Sequence, residues 1–194
     1  FTKKKSISSD FSLFKYFNSK SVFSQNLIYG KISNYYFRLI NRQFSEKIEL
    51  TKFSNNKKID LENRGKYLNI KSEKRLSNFE HFLNNQLTNN FPKIFFEDYK
   101  SAREKIKKMR LPSNPKYVMT SLDHHFNDLF KIYAGEKKSK GSKLYIFQHG
   151  GTYGSSDPCP TEDLDVKISD KYFSWGWKNI KEKKIHPFYC QRYF

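Results

Sequence analysis

Apolar residues along this chain recur in two rhythms, a helical one and, later, short unbroken runs. Over residues 21–44, Phe23, Leu27, Ile28, Ile32, Tyr35, Tyr36 and Leu39 return every three to four positions. That spacing predicts an amphipathic helix, weakened at Gly30 and Ser33. Residues 1–20 are serine- and lysine-rich without such a stripe, and read as a poorly ordered lead-in. Between 45 and 70, short apolar and polar pieces alternate around Asn55-Asn56 and Asn63-Arg64-Gly65, so an irregular segment is expected. Residues 77–87 place Phe79, Phe82, Leu83 and Leu87 on one side of a helix that Asn89-Asn90 interrupts. Pro92 suits the first turn of the next helix, whose stripe is Phe95, Tyr99, Ala102, Ile106 and Met109. Its last turn is basic, which complements the helix dipole, and Leu111-Pro112-Ser113-Asn114-Pro115 stops it.

Beyond Pro115 the rhythm changes. Residues 117–120 form a short apolar run that reads as a buried strand. Asp123 can cap a helix reaching about Lys138, with Phe126, Leu129, Phe130 and Tyr133 on its apolar face. Gly141 breaks it, and residues 144–147 form the next strand. Strand, helix and strand of these lengths make a βαβ unit of a parallel sheet. A short helix over 161–168 and a third strand over 172–175 continue the pattern. The expected fold class is therefore α/β, with helices leading into a Rossmann-like parallel sheet. Residues 1–70 are assigned to a helical or irregular lead-in and 71–194 to the Rossmann-like domain.

Charge adds less than its size suggests. The net charge is +18, from 37 Lys and Arg against 19 Asp and Glu. Lysines far outnumber arginines and are scattered among Asn, Ile, Phe and Tyr along the whole length. Base readers rely on arginine forks and single-strand binders on a stacking platform, and neither pattern is present, so nucleic acid is not the expected partner. A diffuse positive surface suits peripheral contact with an anionic membrane or the handling of anionic donors. No apolar run is long enough to span a bilayer. Cys159 and Cys190 make neither a disulfide framework nor a zinc motif, and they fit a cytoplasmic setting. The chain opens on Phe1-Thr2-Lys3 and stops at Gln191-Arg192-Tyr193-Phe194, which suggests a piece of a longer protein.

The chemistry concentrates where strands end. Gln148-His149-Gly150-Gly151-Thr152-Tyr153-Gly154 follows the strand Leu144-Tyr145-Ile146-Phe147 directly. An imidazole and bare backbone at that edge lie where open α/β sheets bind ligands. His149 is the candidate general base, because a residue just past a strand end is rigidly placed, with a buried, hydrogen-bonded histidine in a tight strand-to-helix turn the equal reading. Gly150 and Gly151 can adopt positive φ and let a phosphate reach main-chain N–H groups. Gln148, Thr152 and Tyr153 are candidate substrate contacts, with packing of the loop an equal reading for Tyr153. A neighbouring strand end brings Ser121, Asp123, His124 and His125. Adjacent residues on a helix point about 100° apart, so one histidine at most is expected in the site, taken as His124, and no metal is expected. Asp123 reads as a helix cap. Trp175 and Trp177, in Ser174-Trp175-Gly176-Trp177, are candidates for packing on a sugar face, with core packing the alternative. Asp157, Glu162, Asp163 and Asp165 read mainly as ordinary acids near a helix N-terminus.

The segment from Ser113 to Asn179 resembles a family of bacterial transferases of surface-carbohydrate (O-antigen or capsule-type) biosynthesis. The matching pieces are Ser113-Asn114-Pro115, Thr120-Ser121, Ala134-Gly135-Glu136, Gly141, Gln148 to Gly154, and Asp170-Lys171-Tyr172-Phe173-Ser174-Trp175-Gly176-Trp177. The resemblance implies the two-domain GT-B architecture, with this chain looking like its N-terminal half. It also implies that His149 faces the cleft as base and that the donor pocket belongs to a second domain lying beyond this chain. The isolated piece is then expected to be inactive. No cofactor is implied beyond a nucleotide-sugar donor, which is a substrate, and the acceptor is a glycan or a lipid-linked glycan. The expected location is cytoplasmic, at the face of the inner membrane. The rival reading is a non-catalytic basic module that binds nucleic acid or another anionic polymer.

Overall fold

The computed structural model describes residues 22–27, 31–40, 47–49, 57–68 and 76–190. The expected lead-in over residues 1–20 lies outside these. The chain divides into two compact units, one of residues 50–108 and one built from 1–49 together with 109–194.

The larger unit is organised by five strands: β1 (Val22–Gln25), β2 (Tyr117–Thr120), β3 (Lys143–Phe147), β4 (Lys171–Trp175) and β5 (Ile185–Phe188). They lie side by side in sequence order and every pairing is parallel. The sheet with its flanking helices is a Rossmann-like α/β fold, as the alternation of short apolar runs and helical stripes predicts. Helix α1 (Lys31–Ile40) follows β1. A single turn, α5 (Asp123–Phe126), and helix α6 (Asp128–Ser139) connect β2 to β3. Helix α7 (Pro160–Ile168) connects β3 to β4.

Alternation assigns the two faces of the sheet. Register aligns Phe23 with Val118, Val118 with Leu144, Ile146 with Tyr172 and Tyr172 with Ile185, and all are buried. Phe23 packs edge-on against Tyr133 of α6, ring centroids 4.9 Å apart, which fixes that helix over the row. The other face carries an aromatic ladder, with Tyr117 against Tyr145 at 5.1 Å, Phe147 against Phe173 at 4.6 Å and Phe173 against Phe188 at 5.6 Å.

Three elements of this unit differ from the sequence reading. The stretch expected to be helical throughout 21–44 opens with a strand, because parallel pairing with β2 outweighs the helical spacing of Phe23 and Leu27. Asp123 does not cap a long helix. The chain turns once over Asp123–Phe126, and Asn127 caps α6 by accepting the Phe130 N–H at 3.1 Å. Strand β5 was not anticipated because Pro187 lies within it. At a sheet edge that missing donor is tolerated.

The smaller unit is helical, with α2 (Leu61–Leu68), α3 (Asn78–Asn90), a single 3₁₀ turn (Lys93–Phe95) and α4 (Tyr99–Lys108). Ser77 and Glu80 form a reciprocal capping box at the start of α3. The helix anticipated from Pro92 begins only at Tyr99, and Pro92 precedes the 3₁₀ turn. Asn63-Arg64-Gly65, read as a turn, lies inside α2, where Arg64 is completely buried. Its Nε and Nη2 donate to the two carboxylate oxygens of Glu97 at 2.6 and 2.7 Å, and Nη1 donates to the Thr88 carbonyl at 3.1 Å. That fork holds the Glu97 carboxyl down at about 2, mainly through the Arg64 hydrogen bonds. Among the described residues no helix is long and apolar enough to cross a membrane.

Candidate active site at the carboxyl edge of the sheet

The carboxyl ends of β1 to β4 present four short turns to one edge of the sheet. After β1, Asn26 takes a positive φ of 47°, a conformation that asparagine accepts more readily than most residues. Its side-chain amide donates to Asp123 Oδ1 at 2.6 Å. After β2, buried Thr120 turns its hydroxyl back to accept the N–H of Asp123 at 3.0 Å, which starts the α5 turn. Ser121 and Asp123 are fully buried, and Ser121 Oγ and Asp123 Oδ2 have no hydrogen-bond partner. Burial raises the Asp123 carboxyl above the ordinary aspartate range despite the Asn26 bond.

The α5 turn delivers both histidines to one carboxylate. His124 Nε2 lies 2.6 Å and His125 Nε2 2.9 Å from Oδ1 of Asp165, with ring centroids 4.0 Å apart. The expectation that adjacent histidines diverge is therefore corrected. It assumed side chains fixed on a regular helix, whereas these occupy one isolated turn and both reach the same carboxylate oxygen. Desolvation lowers His125 below the usual imidazole value, and the positive charge of a protonated His124 would add to that.

Asp165 is the residue that sequence reasoning passed over. It sits within α7, completely buried, while Leu164 beside it is 45% exposed. A charged residue turned inward past the first helical turn gains little from the helix dipole. That inverted pattern, leucine out and aspartate in, was the available signal. A third imidazole reaches the same carboxylate from the turn after β3, with His149 Nδ1 3.9 Å from Asp165 Oδ2. On its other side, His149 Nε2 meets the Tyr153 hydroxyl at 3.1 Å. Burial raises the Tyr153 phenol, so it stays protonated near neutral pH.

The glycine turn is tied down by Gln148 and the tryptophans. Gln148 is buried, and its Oε1 accepts from the Trp175 N–H at 2.7 Å and from Trp177 Nε1 at 2.8 Å. Its Nε2 donates to the Gly150 carbonyl at 2.7 Å. The amide thus joins the turn after β3 to the turn after β4. Trp177 lies on Gly154, where a Cβ would come within 2.6 Å of the indole. Positive φ falls at Gly154 (78°) and Gly176 (88°) and not at Gly150 or Gly151, which corrects the expectation for that pair. The tight bends come where the chain leaves the turn under Trp177 and passes between the two tryptophans. Gly151 is exposed, with nothing near the place a Cβ would occupy, and Thr152 is also exposed. Gly150 is half-buried against the Tyr153 ring, 3.3 Å from a would-be Cβ.

The edge therefore gathers Ser121, His124, Gln148, His149, Tyr153 and both tryptophans from separated stretches of sequence. Two clefts of about 630 Å³ include residues of this edge, the second running from His124 toward the amino ends of β3 and β4. One is lined by Gly154, Glu162, Trp177 and Lys178 among others, and the other, more apolar, by His124, Phe130, Leu144 and Leu164 among others. The arrangement can accept a proton from a bound hydroxyl, using an imidazole placed between a buried carboxylate and a phenol. Comparison with curated proteins and with solved structures gives no match. The family described as LIC12162 family transferase matches residues 2–192. Nearly the whole chain is spanned, and it belongs to this transferase family.

Proposed function

We propose that this transferase moves a sugar or related group from a nucleotide-activated donor onto a glycan or lipid-linked acceptor during assembly of a bacterial surface polysaccharide. In this reading the chain is the acceptor-side half of a GT-B-like enzyme. The observation that carries it is the placement of His149. One imidazole nitrogen faces the buried Asp165 carboxylate and the other meets a hydroxyl, that of Tyr153. A carboxylate behind Nδ1 favours the tautomer with its proton there, leaving Nε2 as the acceptor. An acceptor hydroxyl taking the place of the phenol would give its proton to Nε2 as its oxygen attacks the donor carbon, and the nucleotide would leave with the bonding pair.

Other residues supply binding. Gly151, exposed and without a side chain, offers close backbone approach to a phosphate. Half-buried Trp175 and Trp177 suit the apolar face of a sugar ring. The lysine-rich surface suits work beside an anionic membrane, where lipid-linked acceptors reside.

The test is a transfer assay of the intact enzyme with a panel of labelled nucleotide-sugars and membrane-derived acceptor. His149→Ala is expected to lower the turnover rate by about 10²- to 10⁴-fold. A rate within a few-fold of wild type would remove His149 from the mechanism.

A further inference from the structure

His124, His125 and Asp165 come together in a manner that ordinary hydrogen bonding does not use up. Two imidazole nitrogens crowd one carboxylate oxygen, at 2.6 and 2.9 Å, and the three prospective donor atoms all lie within 4.8 Å of one another. The second oxygen of Asp165 is buried with no hydrogen-bond partner. Its ion-pair partners among the described residues are all histidines, so no lysine or arginine neutralises it. A buried carboxylate without a fixed positive partner is costly, and a cation is one of the few groups able to offset that cost.

We propose that His124 Nε2, His125 Nε2 and the Asp165 carboxylate form a binding site for a divalent transition-metal ion, with zinc the best match. The donor set decides the class. Two imidazoles and one carboxylate suit zinc and its neighbours, whereas magnesium and calcium prefer oxygen donors throughout. Three protein ligands are also the usual complement of a zinc site that keeps a fourth position open for water or substrate. Tetrahedral bonds of about 2.0–2.1 Å put ligand atoms about 3.3 Å apart. Each nitrogen would therefore retreat from Oδ1 by less than about 1 Å, a side-chain adjustment. No metal-binding sequence motif is visible, because two of the ligands are adjacent and the third comes from a helix beyond the next strand. His149, 3.9 Å from the other carboxylate oxygen, stands beside this site. An ion held there would bring positive charge next to the candidate base, able to polarise a water or neutralise a phosphate oxygen. The site stands apart from the transfer reading, since binding can be measured without turnover.

The experiment uses the untagged full chain, stripped with chelator and titrated with Zn²⁺ by calorimetry and with Co²⁺ by visible absorption. The expected result is one equivalent of Zn²⁺ per chain and a Co²⁺ spectrum of a four- or five-coordinate site. His125→Ala and Asp165→Asn should each weaken Zn²⁺ binding at least about 100-fold. His125 is the most accessible of the three ligands, so its variant decides the matter if Asp165→Asn does not fold. Absence of stoichiometric uptake by the wild-type chain would overturn the proposal. So would uptake of equal affinity in the folded variants. Loss of transfer in His149→Ala with Zn²⁺ binding intact would separate the two functions of the edge.

Discussion

The helical unit and the carboxyl edge of the sheet both bury charge, and they treat it in opposite ways. Arg64 is completely enclosed, yet both oxygens of Glu97 and a main-chain carbonyl answer its guanidinium. At the sheet edge, Ser121 Oγ, Asp123 Oδ2, His124 Nδ1 and Asp165 Oδ2 are equally enclosed and have no hydrogen-bond partner. Asp98 Oδ1 is the one such atom in the helical unit among the described residues. A satisfied buried charge specifies structure. A cluster of unsatisfied ones costs stability that a fold retains when the groups have other work. The contrast singles out this edge as the candidate site without reference to any motif.

The largest effect on stability should come from breaking the satisfied side. Arg64→Met takes the ion-pair partner from half-buried Glu97, leaving its carboxylate the Asp60 N–H, and is expected to cost about 2–4 kcal/mol, read as lost hydrogen-exchange protection in α2 and α3. The double variant Arg64→Met with Glu97→Leu should recover much of it. A single variant as stable as wild type would show that the fork is not what holds the helical unit.

Within the edge, two glycines of one turn should behave differently. Gly154→Ala drives a Cβ into the Trp177 indole at a φ of 78° and should cost about 1–3 kcal/mol. Gly151→Ala meets nothing and should stay within about 0.5 kcal/mol. Thermal melts of the pair check this, and equal losses would contradict the packing of Trp177 on Gly154. With Gly151→Ala as stable as expected, Gly151 is the cleaner probe of phosphate binding, since any loss of transfer would not be a loss of fold.

A smaller effect follows from pH. Glu97 has a folded value near 2 against an ordinary value of 4.5. A carboxyl depressed by folding contributes stability that is present above the unfolded value and lost as pH falls through the folded one. Protection of α2 and α3 amides should therefore decline between about pH 4.5 and pH 2. Arg64→Met should abolish that dependence, and a wild-type unit indifferent to pH across this window would rule out the fork as its source.

The comparison also explains what could be read from the chain. Strands 117–120, 144–147 and 172–175 and the helix over 161–168 were legible because their apolar runs are bounded by Pro, Gly and polar breaks. The glycine turn after β3 was legible for the same reason, and with it the position of His149. Strand β1 was not, because Phe23 and Leu27 fit a helix as well as a strand until β2 is present to pair with. Arg64 looked like part of a turn because its partner Glu97 lies 33 residues away. Asp165 was hidden among four acids near one helix, and only tertiary packing distinguishes it from Glu162 and Asp163, which are less buried. Local chemistry is legible in sequence, whereas convergence of distant side chains depends on the fold.

The most direct test of the central claim, that the edge organised by Asp165 is the working site, is the pH–rate profile of transfer by Asp165→Asn beside wild type. The account predicts a folded variant with its rate lowered by about 10-fold or more. With chelator present for both proteins, its acidic limb should move to lower pH, because removing the carboxylate charge makes a protonated imidazole harder to form. A folded variant with the wild-type rate and an unmoved acidic limb would contradict it.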